Sequence, residues 1–214
     1  MYSKEIEEKK KKLKITLPQK RVLVGLLLGD GCLVSPNDGK TYRLQIEYSL
    51  KQKNYVNWIY QVFKDWVRTP PRVIEKKIGD IAYRNYGFTT LSFAGLRFFG
   101  QHFYDSKKRK RVPKIIKKLL TPEGLAVWFM DDGSRKSKRH KTYNIHTLNF
   151  SQKDLRFLQK VLREKFKIKT RIHRQGKYKK MRWRIYVMSE SAKRFREIIE
   201  PFVLPSFRYK LDTG

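Results

Sequence analysis

Two stretches of this chain are apolar on every side of the helix they would form: Leu23-Val24-Gly25-Leu26-Leu27-Leu28-Gly29-Asp30-Gly31 and Leu125-Ala126-Val127-Trp128-Phe129-Met130-Asp131-Asp132-Gly133. A helix without a wetted face is a buried helix, and two in one chain predict mutual burial. Each run falls well short of the roughly 18 apolar residues of a membrane span, so both read as core. Thr16 followed by Gln19 fits a capping box, and Thr121-Pro122 puts proline at a first helical position. Gly31 and Gly133 stand where helix stops are expected.

Downstream of the first stretch, Ser35-Pro36-Asn37-Asp38-Gly39 predicts a turn. Tyr42 to Tyr48 then alternates, with Leu44 and Ile46 on one face and Arg43, Gln45 and Glu47 on the other, the pattern of a half-buried strand. Tyr55, Trp58, Ile59, Val62, Phe63 and Trp66 recur at helical spacing through Lys51 to Trp66, ahead of Pro70-Pro71, and read as core. Arg72 to Lys77 and Ile81 to Phe93 predict a strand pair around Gly79-Asp80, followed by a short helix from Ala94 to Tyr104.

The same order then repeats. Lys141-Thr142-Tyr143 echoes Lys40-Thr41-Tyr42, and Phe150-Ser151-Gln152-Lys153 echoes Tyr48-Ser49-Leu50-Lys51 ahead of an amphipathic helix through Leu155, Leu158, Val161, Leu162 and Phe166. Strands are expected at Ile168 to Arg174 and Met181 to Met188, and a last helix from Ser191 to about Pro201. The repeat divides the chain into an N-terminal half, 15–104, a basic linker, 105–117, and a C-terminal half, 118–214. The simplest architecture is α+β: two α-β-β-α-β-β-α units with their apolar helices paired.

Charge changes this picture most. A formal net charge of +32 on 214 residues points to a polyanion, with nucleic acid the default partner. In the second half Lys169, Arg171 and His173 alternate with Thr170 and Ile172, and Arg182, Arg184 and Tyr186 with Trp183, Ile185 and Val187. A β-ribbon of this kind fits the DNA major groove, where arginine pairs with guanine and glutamine with adenine. For any single residue an ordinary solvent-facing charge explains the pattern equally well; for the face as a whole the net charge favours DNA. A lone Cys32 excludes a disulfide framework and a cysteine-based zinc site, and four histidines without paired spacing give no support to a histidine-metal nuclease. The Lys/Glu run from Met1 to Lys14 lacks the apolar core of a secretory signal.

Carboxylates at the end of an apolar helix are badly placed for stability, because the last turn already exposes carbonyl oxygens carrying about half a negative charge. One such end reads as an accidental cap. Two of them, with Asp30 and Asp132 at the same position 102 residues apart, call for a divalent cation that takes carboxylate and carbonyl oxygens as hard ligands.

These two stretches resemble the paired motif of the LAGLIDADG homing endonucleases, in the single-chain form with both halves on one polypeptide. The match is loose in places: Leu28 and Met130 replace the motif's first acid, and Val127 stands where Gly25 stands in the first copy. The eighth-position acid is kept in both. The resemblance implies paired motif helices, antiparallel sheets forming a DNA-binding saddle, and a monomer that cuts both strands of a long double-stranded target across the minor groove without a protein partner or a membrane. It implies Mg2+, two or three divalent ions shared between Asp30 and Asp132, with the carbonyls of Gly29 and Asp131 as helpers and Asp131 in a supporting or capping role. It also implies active-site basic residues at Lys110 and Lys210, which follow the last helix of each half 100 residues apart. Lys110 lies in a basic run that reads equally as a phosphate-contacting linker or a nuclear address. Gln45 matches a position used to organise water, and its partner by spacing is Thr147. The expected DNA face comprises Arg43, Gln45, Glu47, Arg72, Lys76 and Arg84 in the first half. In the second it comprises Thr147, Asn149, Lys169, Arg171, His173, Arg182 and Arg184. The expected setting is a prokaryotic cytoplasm or an organelle interior. A splicing maturase or a non-cleaving nucleic-acid-binding protein on the same fold is the alternative.

Overall fold

The computed structural model describes residues 4–137, 142–147, 150–175 and 182–211. The charged N-terminal run forms a helix, α1 (Lys4–Lys12), and the first apolar stretch lies in α2 (Leu17–Leu28). The expected capping box closes α2: Thr16 N–H donates to Gln19 Oε1 at 3.0 Å and Gln19 N–H to Thr16 Oγ1 at 3.4 Å. β1 (Cys32–Val34), β2 (Arg43–Ser49), α3 (Lys53–Phe63), β3 (Arg72–Ile78), β4 (Ile81–Thr89) and α4 (Arg97–Phe103) follow. A one-turn helix, α5 (Ile116–Leu119), precedes α6 (Pro122–Asp132), which holds the second apolar stretch. Thr121 caps α6, its hydroxyl accepting from Gly124 N–H at 3.1 Å. Then come β5 (Gly133–Arg135), β6 (Tyr143–His146), α7 (Gln152–Phe166), β7 (Thr170–Gln175), β8 (Arg182–Val187) and α8 (Ser189–Ile199).

From α2 to α4 and from α6 to α8 the order is α-β-β-α-β-β-α, as the repeat predicts. Each half has a four-stranded antiparallel sheet, in the orders β1-β2-β4-β3 and β5-β6-β8-β7. By contacts the chain forms two compact units, Met1–Lys20 with Asp30–Gln101 and Arg21–Gly29 with His102–Gly214.

In the first unit α3 covers the apolar side of the sheet, burying Tyr55, Val56, Ile59 and Phe63 against Leu44, Ile46 and Phe88. Trp66 completes this core, its ring centroid 4.8 Å from Phe63 and 4.9 Å from Phe93. In the second, α7 buries the five residues its periodicity singled out and starts at a capping box between Ser151 and Asp154. Phe129, Tyr143 and Phe195 meet with centroids 5.3–5.6 Å apart.

Several boundaries differ from expectation for local reasons. β4 ends at Thr89 and not Phe93, because Leu91 N–H turns to Trp66 O at 2.7 Å. β7 starts at Thr170 and not Ile168, since Ile168 N–H closes the end of α7 on Leu162 O and Lys169 N–H goes to Ser191 Oγ. Met181 lies outside the described residues. β1 and β5, three residues each, are too short for periodicity to reveal. Neither Gly31 nor Gly133 adopts the left-handed conformation of a glycine helix stop. Gly133 has φ −82°, and its hydrogen is needed because a Cβ there would run into Phe129. Among the described residues no helix is long and apolar enough to cross a membrane.

Candidate active site and nucleic-acid face

Arg21–Gly29 of the first motif packs directly on α6 within the second unit. The contact is close because it runs through glycine: a Cβ on Gly25 would lie 2.6 Å from Val127 Cβ and closer still to the Gly124 carbonyl oxygen. Val127 therefore fills the space that the missing side chain of Gly25 leaves, so the departure from motif symmetry is complementary. At the far end of the contact the Asp131 side chain lies against Gly29, where again no Cβ could fit.

Both motif helices end on a lysine. Lys110 Nζ donates to the carbonyl of Gly29, the residue before Asp30. Lys210 Nζ donates to the carbonyls of Met130 at 2.6 Å and Asp131 at 3.4 Å, the two residues before Asp132. An ammonium on the last carbonyls offsets the negative pole of a helix. This answers much of the electrostatic objection raised by the sequence: each acid-bearing helix end has a built-in cation. Asp30 is exposed and Asp132 half-buried. The indole N–H of buried Trp128, one turn before Asp132, donates to Asp132 Oδ2 at 3.2 Å and holds its rotamer.

Among the described residues no three His, Cys, Asp or Glu side chains gather into a closed metal site. One helix end offers the Asp30 carboxylate and the Gly29 carbonyl, the other the Asp132 carboxylate and the Asp131 carbonyl, and a carbonyl that accepts one lysine keeps a second lone pair. So few donors cannot strip a cation of its water. They fit a divalent cation that keeps several waters and completes its shell with substrate phosphates.

In the first sheet, Gln45 pairs with Thr89, Glu47 with Gly87 and Gly87 with Arg72, so these share the face turned away from α3, together with Arg43 and Lys76. Gly87 leaves a recess of about 220 Å³ bordered by Gln45, Arg72 and Thr89. Glu47 binds Lys76 and accepts from Asn85 Nδ2 at 2.8 Å. Burial pushes the Glu47 carboxyl up, but the bonds from Lys76 and Asn85 and the Lys76 charge together outweigh it and hold the group below its ordinary value. Arg84 does not join this face. It pairs with Glu75 across β3 and β4, at the alternate parity shared with Phe88, and its Nε is 3.4 Å from the Glu75 carboxylate.

In the second sheet, one row runs Ser134, Asn144, Tyr186, Arg171 and the next His146, Arg184, His173, with Arg182 beyond. His173 stacks on Tyr186 with centroids 5.0 Å apart, and the Lys136 ammonium sits 5.1 Å from the Tyr186 centroid. Burial, then the charges of Arg184, Arg171 and Lys136, push the His173 pKa down. Lys169 precedes β7 and is 3.2 Å from the Glu190 carboxylate. Thr147 is buried, and its hydroxyl donates to Trp183 O at 2.9 Å, which takes it out of any surface contact. Asn149 lies outside the described residues.

The family model of the LAGLIDADG DNA endonucleases matches residues 20–195. The chain belongs to the LAGLIDADG DNA endonuclease family. It is similar to a probable intron-encoded endonuclease 1 of Wickerhamomyces canadensis, 30% identical over 201 residues that cover 90% of this chain and 83% of the relative. It is 26% identical to the cytochrome b mRNA maturase bI2 of Saccharomyces cerevisiae, over 89% of this chain and 46% of the relative. The homing endonuclease I-WcaI, solved bound to its DNA recognition sequence, superposes with a TM-score of 0.90 at 25% identity, covering 99% of this chain and 94% of that one.

Strand pairing corrects one correspondence between the family's two halves. The second residue after each motif acid, Cys32 or Ser134, pairs with Gln45 in one sheet and Asn144 in the other. Asn144 and not Thr147 is thus the counterpart of Gln45; the connection before it is three residues shorter, which defeats a count by fixed spacing. Ser134 Oγ lies 3.1 Å from His146 Nε2 on the same face. That Ser134, Asn144 and His146 share this face was not legible, because β5 and β6, of three and four residues, are too short to show a period. The Trp128 to Asp132 bond had a signal, a donor four residues before the acid on one helix face.

Proposed function

We propose that this LAGLIDADG endonuclease is a monomeric, site-specific homing nuclease that hydrolyses both strands of a long double-stranded DNA target with divalent cations. Its two halves, 15–104 and 118–214, each contribute one acid and one sheet, joined through 105–117. The observation that supports this most is the matched pair of helix ends, each bearing one acid and capped by a lysine from the segment after the last helix of a half.

Phosphodiester hydrolysis needs an activated water, a stabilised anionic transition state and a neutralised leaving oxygen. Bound divalent cations would supply water activation and charge neutralisation, with Asp30 as a protein ligand at one helix end and Asp132 at the other. Lys110 and Lys210 keep a positive charge at each helix end without further reorganisation, placed to stabilise charge on phosphorus. Trp128 keeps Asp132 in one rotamer. Gln45 and Asn144 orient water on their respective sheets. The basic sheet faces grip the phosphate backbone, and Arg72, Arg171, Arg182 and Arg184 reach base edges.

The test is Asp132→Asn, assayed on a target recovered from a randomised duplex library. Double-strand cleavage in magnesium is lost while DNA affinity in calcium stays close to wild type, and chelation abolishes cutting by the wild type. Normal cutting by the variant in magnesium would overturn the assignment. The similarity to the yeast maturase favours a second reading, a splicing protein that binds RNA on this fold. Tighter binding of intron RNA than of duplex DNA at matched salt, with no cutting, would establish it.

A further inference from the structure

Lys110 reaches Gly29 from a loop that is tied into one shape. Between α4 and the linker, Asp105 Oδ1 accepts from the backbone N–H of Lys107 and of Arg109, both at 2.9 Å. Its Oδ2 takes the Arg109 guanidinium on two nitrogens, Nε at 2.8 Å and Nη2 at 2.7 Å. The backbone closes the same ring, with Asp105 N–H on Arg109 O and Lys108 N–H on Asp105 O, each 2.9 Å. Lys108 sits at φ +58°, a left-handed conformation that lysine seldom adopts unless neighbouring bonds hold it there. Just outside the ring, Lys110 bridges Tyr104, and Arg111 N–H donates to Phe103 O at 2.8 Å.

We propose that Asp105 is the positioning residue for Lys110: its carboxylate locks the Asp105–Arg109 ring, and the ring sets the direction from which the Lys110 ammonium meets the end of the first motif helix. The inference rests on the reading of Lys110 as an active-site cation. It also changes the reading of the basic run, because Arg109 is a structural clamp within it and not a phosphate contact. The second half reaches the same arrangement by another route. Lys210 ends a 3-10 helix, Pro205–Lys210, with its ammonium 5.2 Å from the Phe207 ring centroid. Loosening Asp105 therefore affects one helix end and leaves the other intact.

The experiment follows the full-length protein on supercoiled plasmid carrying the target, under single-turnover conditions, with nicked and linear products resolved. The proteins are the wild type, Asp105→Asn, Asp105→Ala, Lys110→Met and the double variant Asp105→Ala/Lys110→Met. Asp105→Ala slows cleavage of one strand by roughly tenfold to a hundredfold, so nicked circles accumulate, while affinity in calcium is unchanged. Asp105→Asn, which keeps an oxygen for the two N–H groups, falls between it and the wild type. In the Lys110→Met background, Asp105→Ala costs nothing further. Additive losses, equal slowing of both strands, or a wild-type rate for Asp105→Ala beside a slow Lys110→Met would overturn the inference alone. A wild-type rate for Lys110→Met would overturn the reading of Lys110 and this inference with it. If Asp105→Ala does not fold, Arg109→Gln opens the same ring from its other side and is read by the same criteria.

Discussion

Replacing Gly25 with alanine tests the helix contact on which the acid-bearing ends depend. In an exposed helix interior the change would raise stability by about 1 kcal/mol, through propensity alone. Here the new methyl would sit 2.6 Å from Val127 Cβ and 2.9 Å from Val127 Cγ1. Carbon atoms prefer about 3.5–4.0 Å, so the helices must part by roughly 1 Å or bend. Overpacking of this kind costs about 1–3 kcal/mol, and part of the obstruction is the Gly124 backbone carbonyl, which no rotamer change can move. Because that obstruction cannot move, the cost lies toward the upper end of the range, about 2–3 kcal/mol, and set against the propensity gain the expected net loss is about 1–2 kcal/mol, or a fall in Tm of about 2–8 °C for a chain of this size. Thermal unfolding followed by circular dichroism measures it. Adding Val127→Ala restores little, because Val127 Cβ and the Gly124 carbonyl remain. A Gly25→Ala protein that melts at or above the wild-type temperature would refute the close-approach argument.

Two further outcomes are expected. Arg184→Ala weakens DNA binding and reduces the dependence of log K on log salt by about 1, whereas Arg84→Ala, on the opposite face and paired with Glu75, leaves both unchanged; fluorescence anisotropy across a salt series separates them. Glu47 has a folded pKa below its ordinary 4.5, so the stability it contributes is present above that value and lost as pH falls through the lower, folded value. Urea midpoints of the wild type and Glu47→Gln should therefore differ most at about pH 7, and the gap should narrow as pH falls below 4.5; a gap of constant size would contradict the bonds to Lys76 and Asn85.

Much of the fold was readable because it rests on local rules. The capping residues Thr16 and Thr121 mark helix starts that depend only on nearby donors. The buried stripe of α7 follows from a period of 3.6, and Leu44 and Ile46 from a period of 2. Where long-range bonds decide, the reading failed. β4 stops short because Trp66 captures the chain. Gly133 escaped for a local reason, since it is glycine because of Phe129, one turn earlier, and not because of its own dihedral angles.

The sequence by itself determined that the chain is a duplicated, strongly basic protein with two buried helices ending in acids, because repetition, charge and apolar periodicity are properties of residue order. Tertiary structure alone decided that lysines 110 and 210 cap the carbonyls before those acids, that Asn144 answers to Gln45, and that Arg84 turns to the other side of its sheet. Each of these is a matter of direction and register across many residues. A strand offset by one position or a loop shortened by three reverses such an assignment without changing the pattern from which it was read.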